Sequence, residues 1–383
     1  MFKKTLAAVA VLGAFAGSAF AANVSVYGII DTGLGYTSTD KGYGEDVNKF
    51  DMRSGANSAS RFGIKGEEDL GNGLKVGFVL ENGFDSDDGE LGNDGRLFGR
   101  EALLYINGAF GELGMGRQGE LASGNGRYGL FGSKVSPFST GWSDIAGHKY
   151  VMGAGFDRMD NTITYKTPTF AGFNLLAQYS FDKNVKKDDD SAEPGVQHGR
   201  EGSAEADRQY ALGVSYAAGD LYLAGIVTQT NKQSVKYDGE YQGEQDDPLT
   251  VSLGGNYNFG VAKLYVATQY FKDSDLAVKA VQEEQEAGKY NGYGLSVGAD
   301  VPAFGGTAKV LVGYMDAEDQ AEMEARDMQR YVFSVGYEYP LSKRTFVYGG
   351  AGYYMDSYDR QYAKDYDDKA SVAAVNAGLV HKF

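Results

Sequence analysis

A period of two runs along this chain from residue 24 to residue 383 and limits what it can fold into. In one stretch Leu249, Val251, Leu253, Gly255, Tyr257 and Phe259 alternate with Thr250, Ser252, Gly254, Asn256 and Asn258. Successive side chains of a strand point to opposite faces, so this pattern predicts a strand with one apolar and one small, polar face. Residues 292–301 and 330–339 repeat it. The alternation predicts sixteen strands, at 24–36, 60–70, 74–85, 96–107, 111–118, 160–168, 173–181, 208–217, 221–232, 249–259, 262–273, 291–301, 306–317, 328–339, 344–357 and 370–383.

The connections alternate too. Seven are tight, among them Gly71-Asn72-Gly73, Gly260-Val261, Pro302 to Gly305 and Pro340 to Lys343. The others fall near 37–59, 86–95, 119–159, 182–207, 233–248, 274–290, 318–327 and 358–369, and are long, polar and mostly acidic. Short turns on one rim and long loops on the other are the build of an outer-membrane barrel. An even strand number puts both termini on the short-turn, periplasmic rim, where first and last strands can pair and leave no edge. No proline interrupts a predicted strand, where it would remove a ladder hydrogen bond.

A soluble sandwich would alternate as well, so the second face decides. Here it is Gly, Ser, Thr, Asn and charge, suited to water and not to a second packed sheet. Glycine reaches 55 residues, and Tyr and Phe together 49 against one Trp. Aromatic residues crowd predicted strand ends, as at Tyr36, Phe259, Tyr353-Tyr354 and Phe383, as in interfacial girdles. The alternating end Ala377 to Phe383 resembles the terminal signature of outer-membrane barrels.

Residues 1–21 read as a secretory signal. Lys3 and Lys4 supply the charged start, Leu6 to Ala16 the apolar run, and Ala19-Phe20-Ala21 the cleavage site. Cleavage would leave a barrel domain over 22–383. Losing two lysines and no acid takes the net charge from −16 to −18. Such a charge argues against nucleic-acid binding, which needs a basic footprint. With no cysteine and only three histidines, no metal site and no cofactor are expected. No other run of 18 apolar residues offers a membrane-spanning helix.

The period also sorts the charges. On the second strand Phe62 and Ile64 face lipid, which turns Arg61, Lys65 and Glu67 to the lumen. On the fourth, Leu103 and Tyr105 are assigned outward, which turns Arg100 inward. On the sixth, Ile163 and Tyr165 face out, leaving Arg158, Asp160, Thr164 and Lys166 inside.

Longer matches carry a resemblance. They are Val24 to Gly28 with Asp31, Ser60 to Lys75, Gly95 to Arg100, Gly114 to Gln118, Asp160 to Tyr165, Leu341 to Thr345 and His381-Lys382-Phe383. In this order, and over the whole mature chain, the sequence resembles the general trimeric porins of Gram-negative outer membranes, of neisserial and betaproteobacterial type. The resemblance implies an all-β, 16-stranded antiparallel transmembrane β-barrel, a homotrimer set in outer-membrane lipid and lipopolysaccharide, and passive diffusion of small polar solutes and ions. It implies an inward-folded third extracellular loop, here 119–159, that narrows the pore. Arg61, Arg100 and Arg158 match the family's basic cluster at the constriction. Loop carboxylates should face them, with Asp144 first and Glu120 and Asp157 as alternates. Ile29 stands lumen-facing where some relatives carry a lysine, which weakens an inference of strong anion preference.

Other patterns weigh less. Gly114 to Gly119 and Gly124 to Gly129 match G-x-G-x-x-G outside any strand–helix unit, and Gly294 to Gly298 matches G-x-S-x-G inside an alternating strand. Asp188-Asp189-Asp190 reads first as a solvated loop, and second as a site for cation bridging to lipopolysaccharide. Two alternatives stand beside passive diffusion. A substrate-specific channel would need a track of lumen aromatics, hinted at by Tyr128, Trp142 and Tyr150. A barrel enzyme would need a partnered histidine, for which only His148 is placed. The wall arginines argue for anions and the total charge for cations. Screening over ~8 Å favours the local charges, so the expectation leans to anions.

Overall fold

The computed structural model describes residues 23–185, 196–197, 206–232, 236–237, 240–241, 246–282, 289–320, 326–360 and 368–383. The leader 1–21, the run Asp188-Asp189-Asp190 and His198 lie outside the described residues. The strands of the main sheet are β1 (Ser25–Asp40), β2 (Val47–Ser54), β3 (Arg61–Gly71), β4 (Leu74–Gly83), β5 (Glu101–Gly108), β6 (Gly111–Gly119), β7 (Arg158–Lys166), β8 (Phe173–Ser180) and β9 (Arg208–Ala218). They continue with β10 (Leu221–Asn231), β11 (Leu249–Asn258), β12 (Lys263–Ser274), β13 (Tyr290–Ala303), β14 (Gly306–Asp319), β15 (Arg326–Pro340), β16 (Thr345–Arg360) and β17 (Lys369–Lys382). Neighbours pair antiparallel around a ring. The ring closes where β1 pairs with β17, from Ile29↔Lys382 to Asp40↔Ser371. The expected sixteen-stranded antiparallel barrel is therefore present.

The seventeenth strand corrects one expectation. The predicted first loop, 37–59, contains β2, which pairs with the upper half of β1 from Thr32↔Ser54 to Thr39↔Val47. The lower half of β1 pairs with β3, from Ser25↔Lys65 to Ile29↔Arg61. Thus β2 and β3 form one wall strand, interrupted by a bulge over residues 55–60. Gly55 turns that bulge at a φ of +64°, where a side chain would be strained. Asp31, fully buried, holds it from below. Its carboxylate accepts the backbone N–H groups of Asn57 (2.8 Å) and Ser58 (2.7 Å) and the Tyr348 hydroxyl (2.9 Å).

On β11, β13 and β15 the faces follow the period. Leu253, Tyr257, Tyr293, Leu295, Tyr331 and Phe333 are exposed outward, while Thr250, Ser252, Ser296 and Ser334 are buried inside. On β5 the expected faces are reversed. Leu103 (2% exposed) and Tyr105 (6%) turn inward, and Leu104 (53%) faces out. Arg100 lies just before β5, outside the regular strand, and reaches the lumen from there. Tyr354 likewise leaves the outer girdle and packs edge-to-face inside on Tyr150, ring centroids 5.2 Å apart.

The long segment between β6 and β7 folds into the barrel, as expected, and builds an apolar core against its wall. Leu121, Leu130, Phe131, Val135 and Phe156 form one cluster, with Leu103 and Tyr105 beneath them. Phe138, Trp142, Ile145 and Val151 form the other, over β13 to β17. This second cluster rests on wall glycines. A Cβ at Gly294 would collide with the Val151 carbonyl oxygen, and Cβ atoms at Gly336 and Gly352 would meet Trp142 and Ile145. Part of the high glycine content is thus the floor on which the loop lies.

Candidate functional site: the barrel lumen

What the loop leaves open is a polar cavity of about 1210 Å³. Nine of its lining residues are basic: Arg61, Arg100, Arg117, Lys149, Arg158, Lys183, Lys309, Lys343 and Lys382. Three are acidic: Asp94, Asp157 and Glu338. The open surface of the cavity is therefore mainly basic inside a chain of net charge −16, although Glu81, Glu120, Asp160 and Asp300 pair with four of those cations from behind it.

The structure brings Arg61, Arg100 and Arg158 together. The Arg100 Nε donates to Glu81 Oε1 at 2.6 Å, and an Arg61 terminal nitrogen lies 4.0 Å from the same oxygen. Arg158 donates from Nε to the Arg100 carbonyl at 3.1 Å, and no carboxylate among the described residues pairs with it. One carboxylate, Glu81, thus lies among three guanidiniums and pairs with only two of them. Arg117 extends the arc, donating to Asp160 (2.6 Å) and to the Gly99 carbonyl (2.8 Å). Lys65 sits apart, its ammonium 5.0 Å from the centre of the Tyr27 ring, whose hydroxyl donates to Glu81 at 2.9 Å.

The loop carboxylates do not form the expected facing row. Asp144 is turned to the upper wall of β1 and β2, away from the cluster, where it pairs with Arg53 of β2 at 2.7 Å and accepts from Thr37 of β1 at 3.1 Å. It fastens the loop and does not line the cavity. Glu120 is buried against Lys183 at 2.8 Å and accepts the Asp157 backbone N–H at 3.1 Å. Only Asp157 of the three lines the lumen. Burial and the neighbouring Glu120 push its carboxyl above the ordinary range. The face that the loop presents is mainly neutral, with Ser139, Thr140 and Gly141.

Four of the residues that matter here were not singled out from sequence: Glu81, Arg117, Lys309 and Glu338. Glu338 and Lys309 were legible, since each alternates with outward-facing neighbours; Lys309 is held by Asp300 (3.2 Å) and Glu338 (3.4 Å). A further inward cation, Arg330, is fully buried. It makes a forked pair with Asp356 at 2.6 and 2.8 Å and donates to the carbonyls of Tyr150, Val278 and Lys279. This clamp joins the inward loop and residues 276–281, from the loop after β12, to the wall. His148, also fully buried, contacts the Ser139 carbonyl through Nδ1 at 2.6 Å between the rings of Phe131 and Phe156. Burial pushes its pKa down to about 4.

A closed barrel with an apolar outer band, a charged lumen and an inward loop defines a channel of the outer-membrane diffusion class. Residues 7–359 match the family described as Gram-negative porin, and the chain belongs to that family. An outer membrane porin protein of Bordetella pertussis is 35% identical, with all of both chains covered. Outer membrane porin protein 32 of Delftia acidovorans is 31% identical over 92% of this chain and 89% of its own. Among solved structures, the anion-selective porin from Comamonas acidovorans superposes with a TM-score of 0.66, at 27% identity, over 95% of this chain and 100% of its own. The protein is an outer-membrane porin, a passive diffusion channel for small hydrophilic solutes.

Proposed function

We propose that the channel prefers anions and that Arg61, Arg100 and Arg158, extended by Arg117, form the selective face of its constriction. The observation that carries this is the cluster of Arg61, Arg100 and Arg158 around the single carboxylate Glu81, in a cavity whose open surface has nine basic and three acidic residues. A narrow, positively lined path raises local anion concentration, and its charges act at shorter range than the outer loops. Asp157, the residue before Arg158, is the loop's contribution beside the cluster, and Lys65 adds charge further along β3. The similar porin from Comamonas acidovorans is described as anion-selective, which agrees with this reading.

We further infer cleavage after Ala21, a homotrimer, and contact with lipopolysaccharide; these rest on the signal-like leader and on family resemblance. The channel reading is favoured over an enzyme because His148 has no open face for a substrate.

The test is zero-current potential across a planar bilayer under a KCl gradient. The wild type should show the sign of anion preference, and R158Q should move it toward zero. A cation-selective wild type would overturn the proposal. Closure of the conductance in thirds would support the trimer.

A further inference from the structure

A second cavity, of about 180 Å³, lies between the inward loop and the wall of β7 to β10. It opens near the turns 167–172 and 219–220, on the short-turn rim, the periplasmic side in barrels of this build. Arg127, Lys134 and Lys166 line it, with Ser215 and Tyr222. None of these cations lines the larger lumen cavity.

The charges around it do not balance. Arg127 is bound by Glu112 through two bonds of 2.6 and 2.7 Å and lies on the Tyr105 ring. Glu112 is the cross-strand partner of Lys166, and its carboxylate is taken up by Arg127. Lys134 donates to the Gly129 carbonyl at 2.8 Å and lies 5.6 Å from the Tyr222 ring centre. Among the described residues no carboxylate pairs with Lys134 or Lys166. Glu101, which accepts the Arg127 backbone N–H at 2.9 Å, and Glu112 both lie at Arg127, so Lys134 and Lys166 are the two cations left without a carboxylate. Burial, then the charge of Lys166, pushes Lys134 below the ordinary lysine range. An anion between the two ammoniums would remove that penalty.

We propose that this cavity binds a small dianion, a short dicarboxylate or a phosphate, held between Lys134 and Lys166 at the periplasmic mouth. The volume fits such a molecule, since cavities of about 150 Å³ hold a six-carbon ring. Ser215 offers a hydroxyl at the same wall. The site is independent of the lumen arginines, so this proposal and the anion preference of the pore stand or fall separately.

The test is titration calorimetry of the folded full-length protein in detergent, with malonate and inorganic phosphate as probes and acetate as monoanion control. We expect one saturable site per chain, weak for acetate. K166Q and K134M should each weaken it at least about tenfold, the loss of one charge-assisted contact, while R158Q leaves it unchanged. Circular dichroism confirms that each variant is folded. If K134M and K166Q together leave the isotherm intact, or R158Q abolishes it, the site lies elsewhere and the proposal fails. Absence of saturable binding by the wild type also overturns it. If only one of the two probes binds, that source is the one the site selects.

Discussion

Arg158 and Arg330 both point into the barrel, yet they do opposite work. Arg158, on the arc of β3 to β7, borders the water-filled lumen and has no carboxylate partner among the described residues. Arg330, on the arc of β13 to β17, is fully buried, with Asp356 and three carbonyls around it. The difference is the loop. Where it lies on glycines and apolar residues, an inward arginine becomes a fastening; where it stands off, the same residue type becomes part of the solute path. The inner face is therefore two surfaces, a dry seat for the loop and a wet charged wall.

Breaking the fastening should have the largest effect. R330M leaves Asp356 buried and unpaired, at a cost of about 3–5 kcal/mol. Lower thermal stability and noisy, enlarged single-channel currents are expected, and adding D356L should restore quiet conductance. Removing the seat comes next. In G294V the new side chain meets the Val151 backbone, and overpacking of this kind costs about 1–3 kcal/mol. The loop should lift, and sugar flux into liposomes should rise.

The third test is pH. His148 is neutral in the folded protein and titrates at about 4, well below its ordinary value. The unfolded chain takes up the proton first, so stability falls as pH drops from ~6.5 through 4 and levels below that. Channel noise should grow over that window in the wild type and not in H148F. The smallest effect belongs to D144N. The carboxylate is about a third exposed (35%), and such surface pairs contribute about 0–1 kcal/mol. Conductance noise should rise slightly while the zero-current potential holds. A large shift in potential would return Asp144 to the solute path and blur the contrast between the two surfaces.

The barrel was legible because lipid outside and water inside impose opposite polarity on alternate residues. That logic holds on β11, β13 and β15, where both solvents are present. It fails on β5, where Leu103, Leu104, Tyr105 and Ile106 are all apolar, because the loop and not water covers the inner side. Arg100 still reaches the lumen because it lies before the strand and escapes its alternation. β2 was readable in principle, with Phe50 and Met52 outward against Lys49, Asp51 and Arg53. Placing Asp144 depended on seeing β2, because its partner is Arg53. Loop carboxylates carry no period, so only the folded packing could assign them.

The closing pair of the ring has a kinetic consequence. Until Lys369–Lys382 has emerged, β1 has no partner along one whole side, although it is the first strand made. Contacts between such distant parts of a chain form slowly. The sheet must therefore wait for its final strand with an open, sticky edge. Backbone bonds between Gly28 and Phe383 then link the two ends. A chain cut short before β17 should aggregate instead of inserting, however sound its other strands are.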